Sequence, residues 1–128
     1  ARVAMVVAVM TRRARLALAG HDVYVATVGG VRLGEPAADL ATALAVAGAV
    51  MDRPLASGTV AFGEVGLAGE VRPVTGLQRR LAEAARLGFT AAVVPRGTSD
   101  ALPAPEGMRV LEVADVASAM RQARLHAL

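Results

Sequence analysis

Apolar residues recur along this chain with two periods, and the changes of period divide it into elements. From Arg2 to Leu18 they spread over several helical turns, with Arg12, Arg13 and Arg15 near the end, where cations complement the helix dipole. Gly20 is a suitable stop. Asp22 to Val28, DVYVATV, alternates and is rich in β-branched residues, which predicts a strand closed by the turn Gly29-Gly30. The stretch Leu33 to Leu44, LGEPAADLATAL, then starts a helix that runs to about Met51. Pro36 suits the first helical position, Glu35 and Asp39 sit near the positive end of the dipole, and Leu40, Ala43, Leu44 and Ala47 form an apolar stripe. Asp52-Arg53-Pro54 breaks it.

The second half alternates between short strands and helices. Thr59 to Phe62 and Glu70 to Val74 read as strands around GEVGLAG, whose glycines fall every third residue, so Gly63 to Gly69 resembles a hairpin or a bent ribbon. Leu77 to Leu87 is amphipathic, with Leu77, Leu81, Ala84 and Ala85 on one side and Arg79, Arg80, Glu83 and Arg86 toward the other, and Gly88 caps it. Ala91 to Val94 is a buried strand ended by Pro95, Arg96 to Gly107 a loop, Arg109 to Val113 a last strand, and Asp115 to His126 a last helix. This order predicts one mixed α/β domain, with no repeat or low-complexity tract.

Composition sharpens that picture. A chain of 128 residues suffices for one domain with a proper core. Much of its 55% apolar content is alanine, and Phe62, Phe89 and Tyr24 are the aromatics, so helices are expected to pack closely through small side chains. All 14 basic residues are arginine, which removes lysine as general base, Schiff base or phosphate-loop ligand. A net charge of +3 permits an acidic partner without requiring one. Zero cysteines exclude disulfides and thiolate zinc sites and fit a reducing compartment; the expected location is the cytoplasm. The apolar run Val3 to Met10 is too short to span a bilayer, and the arginines after it do not make a signal cleavage site, so no membrane partner is expected. The chain begins inside an apolar segment, and reads as an N-terminally truncated fragment, residues 1–128 forming a single domain of a longer protein.

Tests for chemistry return little. Neither GGVRLGEP nor GEVGLAG carries the Lys and Ser/Thr of a phosphate-binding loop, so the glycines read as tight turns. None of Ser57, Ser99 and Ser118 lies in a nucleophile elbow. A triad built on His21 stays open beside the plainer reading of a solvated turn histidine, and His126 stands near the chain end. Glu35 with Asp39, and Glu64 with Glu70, are carboxylate pairs that suit acid–base work or a hard cation, or else helix capping and turn solvation. Arg12, Arg13 and Arg15 form one cationic cluster and Arg79, Arg80 and Arg86 another. Each suits phosphate contact, and each is also what a solvated helix face looks like in a lysine-free chain.

Two stretches together carry a family signal: GGVRLGEPAADLATALA, Gly29 to Ala45, and FGEVGLAGEVRPVTGLQRRLAEAARLGFTAAVVP, Phe62 to Pro95. In order and spacing they resemble the proteolytic domain of Lon proteases, a ribosomal-protein-type two-layer fold with a mixed sheet packed with helices. The EPAADLA segment most resembles the C-terminal Lon-like domain of the bacterial RadA (Sms) family. Lon peptidases work with a Ser–Lys dyad. The resemblance puts those two positions at Ala37 and, after Gly76-Leu77, at Gln78. Alanine has no nucleophile and a neutral amide is no base, so the resemblance implies a peptidase fold without peptidase chemistry.

It also implies a role. RadA-family proteins resemble RecA in a central ATPase, carry an N-terminal zinc finger, and extend branched DNA intermediates as ATP-driven ring helicases. The domain is then expected to support a homo-oligomeric ring, a hexamer, and to contact single-stranded or branched DNA. ATP, Mg and Zn are expected in the parts beyond this chain and no cofactor or metal within it; the family's KNRFG segment and the first strands of a complete Lon-like domain are also missing here. For DNA contact Arg79 and Arg80 come first, then Arg12 and Arg13, while Arg32 and Arg72 are equally open to subunit contacts. Two other readings remain: a Lon-like peptidase with a displaced nucleophile, and the Lon-like domain of a ComM- or Mg-chelatase-type ATPase.

Overall fold

In the computed structural model of this chain the described residues are 2–16, 18 and 34–127. The expected strand Asp22 to Val28, the Gly29-Gly30 turn, the stop at Gly20, His21 and Arg32 all lie outside them. Helix α1 spans Arg2–Arg13 and ends five residues before the expected Leu18. Arg15 adopts a left-handed φ of 56°, and the Leu16 N–H donates to the Met10 carbonyl at 3.1 Å. That turn ends the helix and leaves Leu16 in the core. The helix after Pro36 begins as a tight single turn, Pro36–Ala38, and becomes α2 over Asp39–Val50.

The strands are β1 (Thr59–Ala61), β2 (Glu64–Val65), β3 (Val71–Arg72), β4 (Ala91–Pro95) and β5 (Arg109–Val113), with α3 at Leu77–Arg86 and α5 at Val116–Ala127. Strands β1, β4 and β5 form a parallel sheet in that order, while β2 and β3 pair antiparallel, Glu64 opposite Arg72 and Val65 opposite Val71. The hairpin therefore forms inside the expected turn: its first strand is Glu64–Val65, while Thr59–Ala61 pairs parallel with β4, and its second shortens from Glu70–Val74 to Val71–Arg72. Gly69 turns it with a φ of 85°, and a Cβ there would stand 2.8 Å from the Arg13 Cβ, so only glycine lets α1 lie this close.

Two more boundaries differ from the pattern. Pro95 extends β4 by one residue, because its missing N–H is not needed: the next N–H, of Arg96, donates to the Val113 carbonyl at 2.9 Å. Within the expected loop Arg96 to Gly107 lies a one-turn helix, α4, at Thr98–Ala101. The Thr98 hydroxyl donates to the Pro95 carbonyl at 2.6 Å, and the Glu112 carboxylate accepts the Gly97 N–H at 2.5 Å, so side chains supply the bonds that so short a helix cannot make itself.

All five residues of β4 are buried, as a central parallel strand covered on both faces must be. Alternate side chains point opposite ways. Val93 joins Ala61, Val113, Leu40 and Leu44 of α2, and Ala119 and Ala123 of α5. Ala92 and Val94 join Leu77, Leu81 and Ala84 of α3. The class is the expected mixed α/β, and the layering adds to it: among the described residues helices cover both faces of the parallel sheet, where the resemblance implied two layers. The cause is that β4 is apolar at every position. A further cluster packs Val6, Val9 and Met10 of α1 on Ala43, Val46 and Ala47 of α2 and Val116 of α5. Alanine at these contacts gives the close helix packing that the composition predicts.

Candidate functional site

The single turn before α2, Pro36–Ala38, holds the position that the Lon resemblance assigns to a serine. Ala37 is 3% exposed there, and its carbonyl accepts the Gly63 N–H at 3.1 Å. The Gly63 carbonyl in turn accepts the Leu40 N–H at 3.0 Å. The segment between β1 and β2 therefore straps the helix mouth through its backbone. What the position offers is a buried methyl group, with no atom that ionises or attacks.

Gln78 lies in the first turn of α3 and is exposed, bordering an open hollow with Thr75, Gly76, Arg79 and Ala82. The two segments are joined by Arg80. Its Nη2 donates to Glu35 Oε1 at 3.0 Å, one residue before Pro36, and its Nε donates to the Thr75 carbonyl at 3.0 Å. This bond brings the mouth of α2 and the first turn of α3 together. Ala37 faces the interior and Gln78 faces solvent, and neither group can take up or give a proton near neutral pH.

Asp39 does something the sequence pattern did not predict. Expected to complement the dipole near solvent, it is 3% exposed and accepts Arg2 Nε at 2.9 Å, Arg2 Nη2 at 2.5 Å and the Val65 N–H at 3.0 Å. Arg2 Nη2 also reaches Glu64 Oε2 at 3.4 Å. The bond to Asp39, and then the nearby charges of Asp39 and Glu64, hold the Arg2 guanidinium protonated more firmly than usual. A signal existed: Asp39, Ala43 and Val46 share one buried side of α2, so an acid at that period needed a partner. The expected pair of Glu35 with Asp39 is not a pair here, since Glu35 bonds Arg80 and Asp39 bonds Arg2.

Ser118 and Ser99 are engaged in local structure. Ser118 and Asp115 cap α5 reciprocally: the Ser118 N–H donates to Asp115 Oδ1 at 2.8 Å and the Asp115 N–H to Ser118 Oγ at 3.3 Å. The Ser118 N–H, then its hydroxyl, hold the Asp115 carboxyl below its usual range. The Ser99 hydroxyl, followed by the Gly97 N–H, does the same for Glu112. Ser57 is exposed in a turn. His126 falls within α5, but its side chain lies outside the described residues. No group of three or more His, Cys, Asp or Glu able to hold a metal occurs among the described residues.

The arginine candidates separate. Arg12 and Arg13 are exposed at the end of α1, and no side-chain hydrogen bond or ion pair involves them among the described residues. The same holds for Arg79 on α3. Arg80 is committed to Glu35, Arg86 to Glu83 at 2.5 Å, and Arg72 to Glu70 at 2.8 Å. The Arg72 guanidinium holds the Glu70 carboxyl below the usual carboxylate range, and Arg86 does so for Glu83. Among the described residues Arg79 on α3 and Arg12 and Arg13 on α1 are therefore exposed cations without a partner, as are Arg15 and Arg53. No described helix is long and apolar enough to cross a membrane.

Comparison with known proteins places this geometry in a family. A family model described as "Subunit ChlI of Mg-chelatase" matches residues 29–98, more than half of the 128. A protein named DNA repair protein RadA from Mycobacterium tuberculosis is 50% identical over 121 residues, covering 94% of this chain and 25% of the relative. RadA proteins of Escherichia coli and Bacillus subtilis are 46% and 42% identical over 93% and 94% of this chain, each match covering 26% of the relative. The chain spans about a quarter of the length of these curated relatives. It belongs to the family described as subunit ChlI of Mg-chelatase, and over nearly its whole length it is homologous to a quarter-length segment of proteins named DNA repair protein RadA.

Proposed function

We propose that this chain is the non-proteolytic, Lon-like domain of a RadA-type DNA repair protein. In this reading it supports assembly of a hexameric ring and contacts single-stranded or branched DNA during ATP-dependent recombinational repair and branch migration. ATP hydrolysis with Mg, and a zinc finger, belong to parts of such a protein outside these residues, and the setting is the cytoplasm. The observation that carries the reading is a conjunction. Relatives named DNA repair protein RadA match more than nine-tenths of the chain, while the two positions that the Lon resemblance assigns to serine and lysine hold a buried Ala37 and a solvent-facing Gln78.

The DNA-contact arm rests on Arg79, then on Arg12 and Arg13; Arg80, the other candidate of the sequence, is committed to Glu35. Each phosphate neutralised on a single strand steepens the dependence of log affinity on log salt by about 0.7. Charge reversal at Arg79, and separately at Arg12 and Arg13, is expected to weaken DNA binding and flatten that slope. Unchanged affinity and slope in both variants would remove these residues from the interface.

The ChlI match over residues 29–98 favours a second reading, the Lon-like domain of a ComM- or Mg-chelatase-type ATPase. The region encoded upstream decides between the two: a RecA-like ATPase with a four-cysteine finger belongs to the first. A peptidase with a displaced nucleophile predicts turnover of casein or a fluorogenic peptide that responds to mutation of Ser57 or Ser99; the proposed domain has none.

A further inference from the structure

The chain has two phenylalanines, and both open into one groove. Phe62 follows β1 directly, and Phe89 lies in the turn between α3 and β4; both are half-buried. Val60 and Leu87 extend the same apolar floor. The groove is open, about 420 Å³ in volume, and Leu87 is 61% exposed beside it. Leu67 is the other large apolar side chain so exposed among the described residues. An apolar hollow left open to water marks a binding surface more often than an isolated exposed leucine does.

Its rim is electrostatically one-sided. Arg79, Arg80 and Glu83 of α3 line it. Glu83 is neutralised within its own helix by Arg86, and Arg80 is balanced by Glu35. Arg79 is exposed and has no partner among the described residues, so the rim carries one unbalanced guanidinium and no unbalanced carboxylate. A ligand that complements this arrangement has an apolar, flat body joined to an anion. An apolar segment of another protein supplies the first part alone. A nucleotide of an unpaired strand supplies both, an aromatic base and the phosphate next to it. A duplex keeps its bases stacked inside and offers only the phosphates.

We propose that the groove between α3 and β1 receives an unstacked base of single-stranded DNA against Phe62, Phe89 and Leu87, with Arg79 on an adjoining phosphate. This rests on the DNA-contact reading above and makes it specific: affinity comes from a base as well as from charge.

The test compares two strands of equal charge. Fluorescence anisotropy is measured for this chain with a thymidine oligomer of about twelve nucleotides and with an abasic strand of the same phosphate count. The thymidine strand is expected to bind roughly tenfold tighter or more, since one stacked base is worth about that. Leu87→Ser, alone and with Phe89→Leu, is expected to bring the ratio toward one and leave the salt slope unchanged. Leu87 is exposed enough for its single variant to stay folded, which circular dichroism checks. Arg79→Gln is expected to weaken both strands and lower the slope by about 0.7. Equal binding of the two strands overturns the groove proposal while leaving DNA contact standing, and so does a ratio that survives both variants. Binding of neither strand at low salt sinks DNA contact and this proposal together. If Leu87→Ser instead abolishes self-association and leaves the strand ratio intact, the groove belongs to a second copy of the chain and the proposal is wrong.

Discussion

Arg2 and Asp39 lie 37 positions apart and meet as a bidentate pair, Nε to Oδ1 at 2.9 Å and Nη2 to Oδ2 at 2.5 Å. The same carboxylate takes the Val65 N–H, so the first turns of α1 and α2 and the hairpin strand β2 converge on one buried acid. Asp39→Asn keeps the shape and removes the charge that Arg2 and the amide both use. It is expected to cost about 1–3 kcal/mol in urea unfolding, the range for bonds to a charged group. Arg2→Ala is expected to lower stability in the same direction, because it leaves a carboxylate buried without its cation. The double variant should lose less than the two singles summed, since both remove one interaction. Strict additivity would mean that the pair is not coupled.

Gly63 holds the mouth of α2 by bonds in both directions, to the Ala37 carbonyl and from the Leu40 N–H. A Cβ there would meet Val71 Cγ1 at 2.8 Å and Leu40 Cδ2 at 3.2 Å, both inside the core. Gly63→Ala is therefore expected to destabilise by about 1–3 kcal/mol through overpacking. Gly34→Ala, which meets no described residue within 4 Å, should stay within about 0.5 kcal/mol of the parent. Thermal melts of the two variants side by side check this.

Glu112 gives the chain an acid-sensitive joint. The Ser99 hydroxyl and then the Gly97 N–H favour its charged form, so its pKa falls below the ordinary 4.5 on folding. The unfolded chain then binds the proton more readily. Stability from this group is fully present above about pH 4.5 and is lost as pH falls through the depressed value. Glu112→Gln should melt lower than the parent at pH 7, with the gap in Tm shrinking as pH drops toward and below 4. A gap that does not narrow in acid would mean that Glu112 acts through packing alone.

Arg79 and Arg80 are neighbours in sequence with different duties. Arg80→Gln breaks the bond to Glu35 and frees the Thr75 carbonyl, so a lower Tm is expected, with a loss of about 1 kcal/mol or less because the pair is partly exposed. Arg79→Gln breaks no bond within the described residues and should leave Tm unchanged while lowering DNA affinity and its salt slope. The converse assignment, with Arg80 governing the slope and Arg79 the melt, would overturn this division.

The helical and strand periods were legible without a structure wherever an element buries one continuous apolar stripe. Strand β5 and helix α3 fall where Arg109 to Val113 and Leu77 to Leu87 predict them. The turn at Arg15 and the single helical turn at Thr98 were not legible. Each is held by contacts with residues outside its own segment or by a backbone conformation that composition does not signal, Leu16 burying against α1 in one case and Glu112 reaching from β5 in the other.

By itself the sequence determined which side-chain types this chain lacks: it holds no lysine and no cysteine, and that absence is decided by covalent structure alone. Only the tertiary structure decided how the remaining charged and aromatic groups are used. Asp39 and Arg80 are consumed by partners 37 and 45 positions away, Arg79 has no partner among the described residues, and Phe62 and Phe89 are brought to one groove beside it. The reason is that a charge's availability depends on which opposite charge lies within a few ångströms, and that distance is set by packing between elements, to which local periodicity is blind.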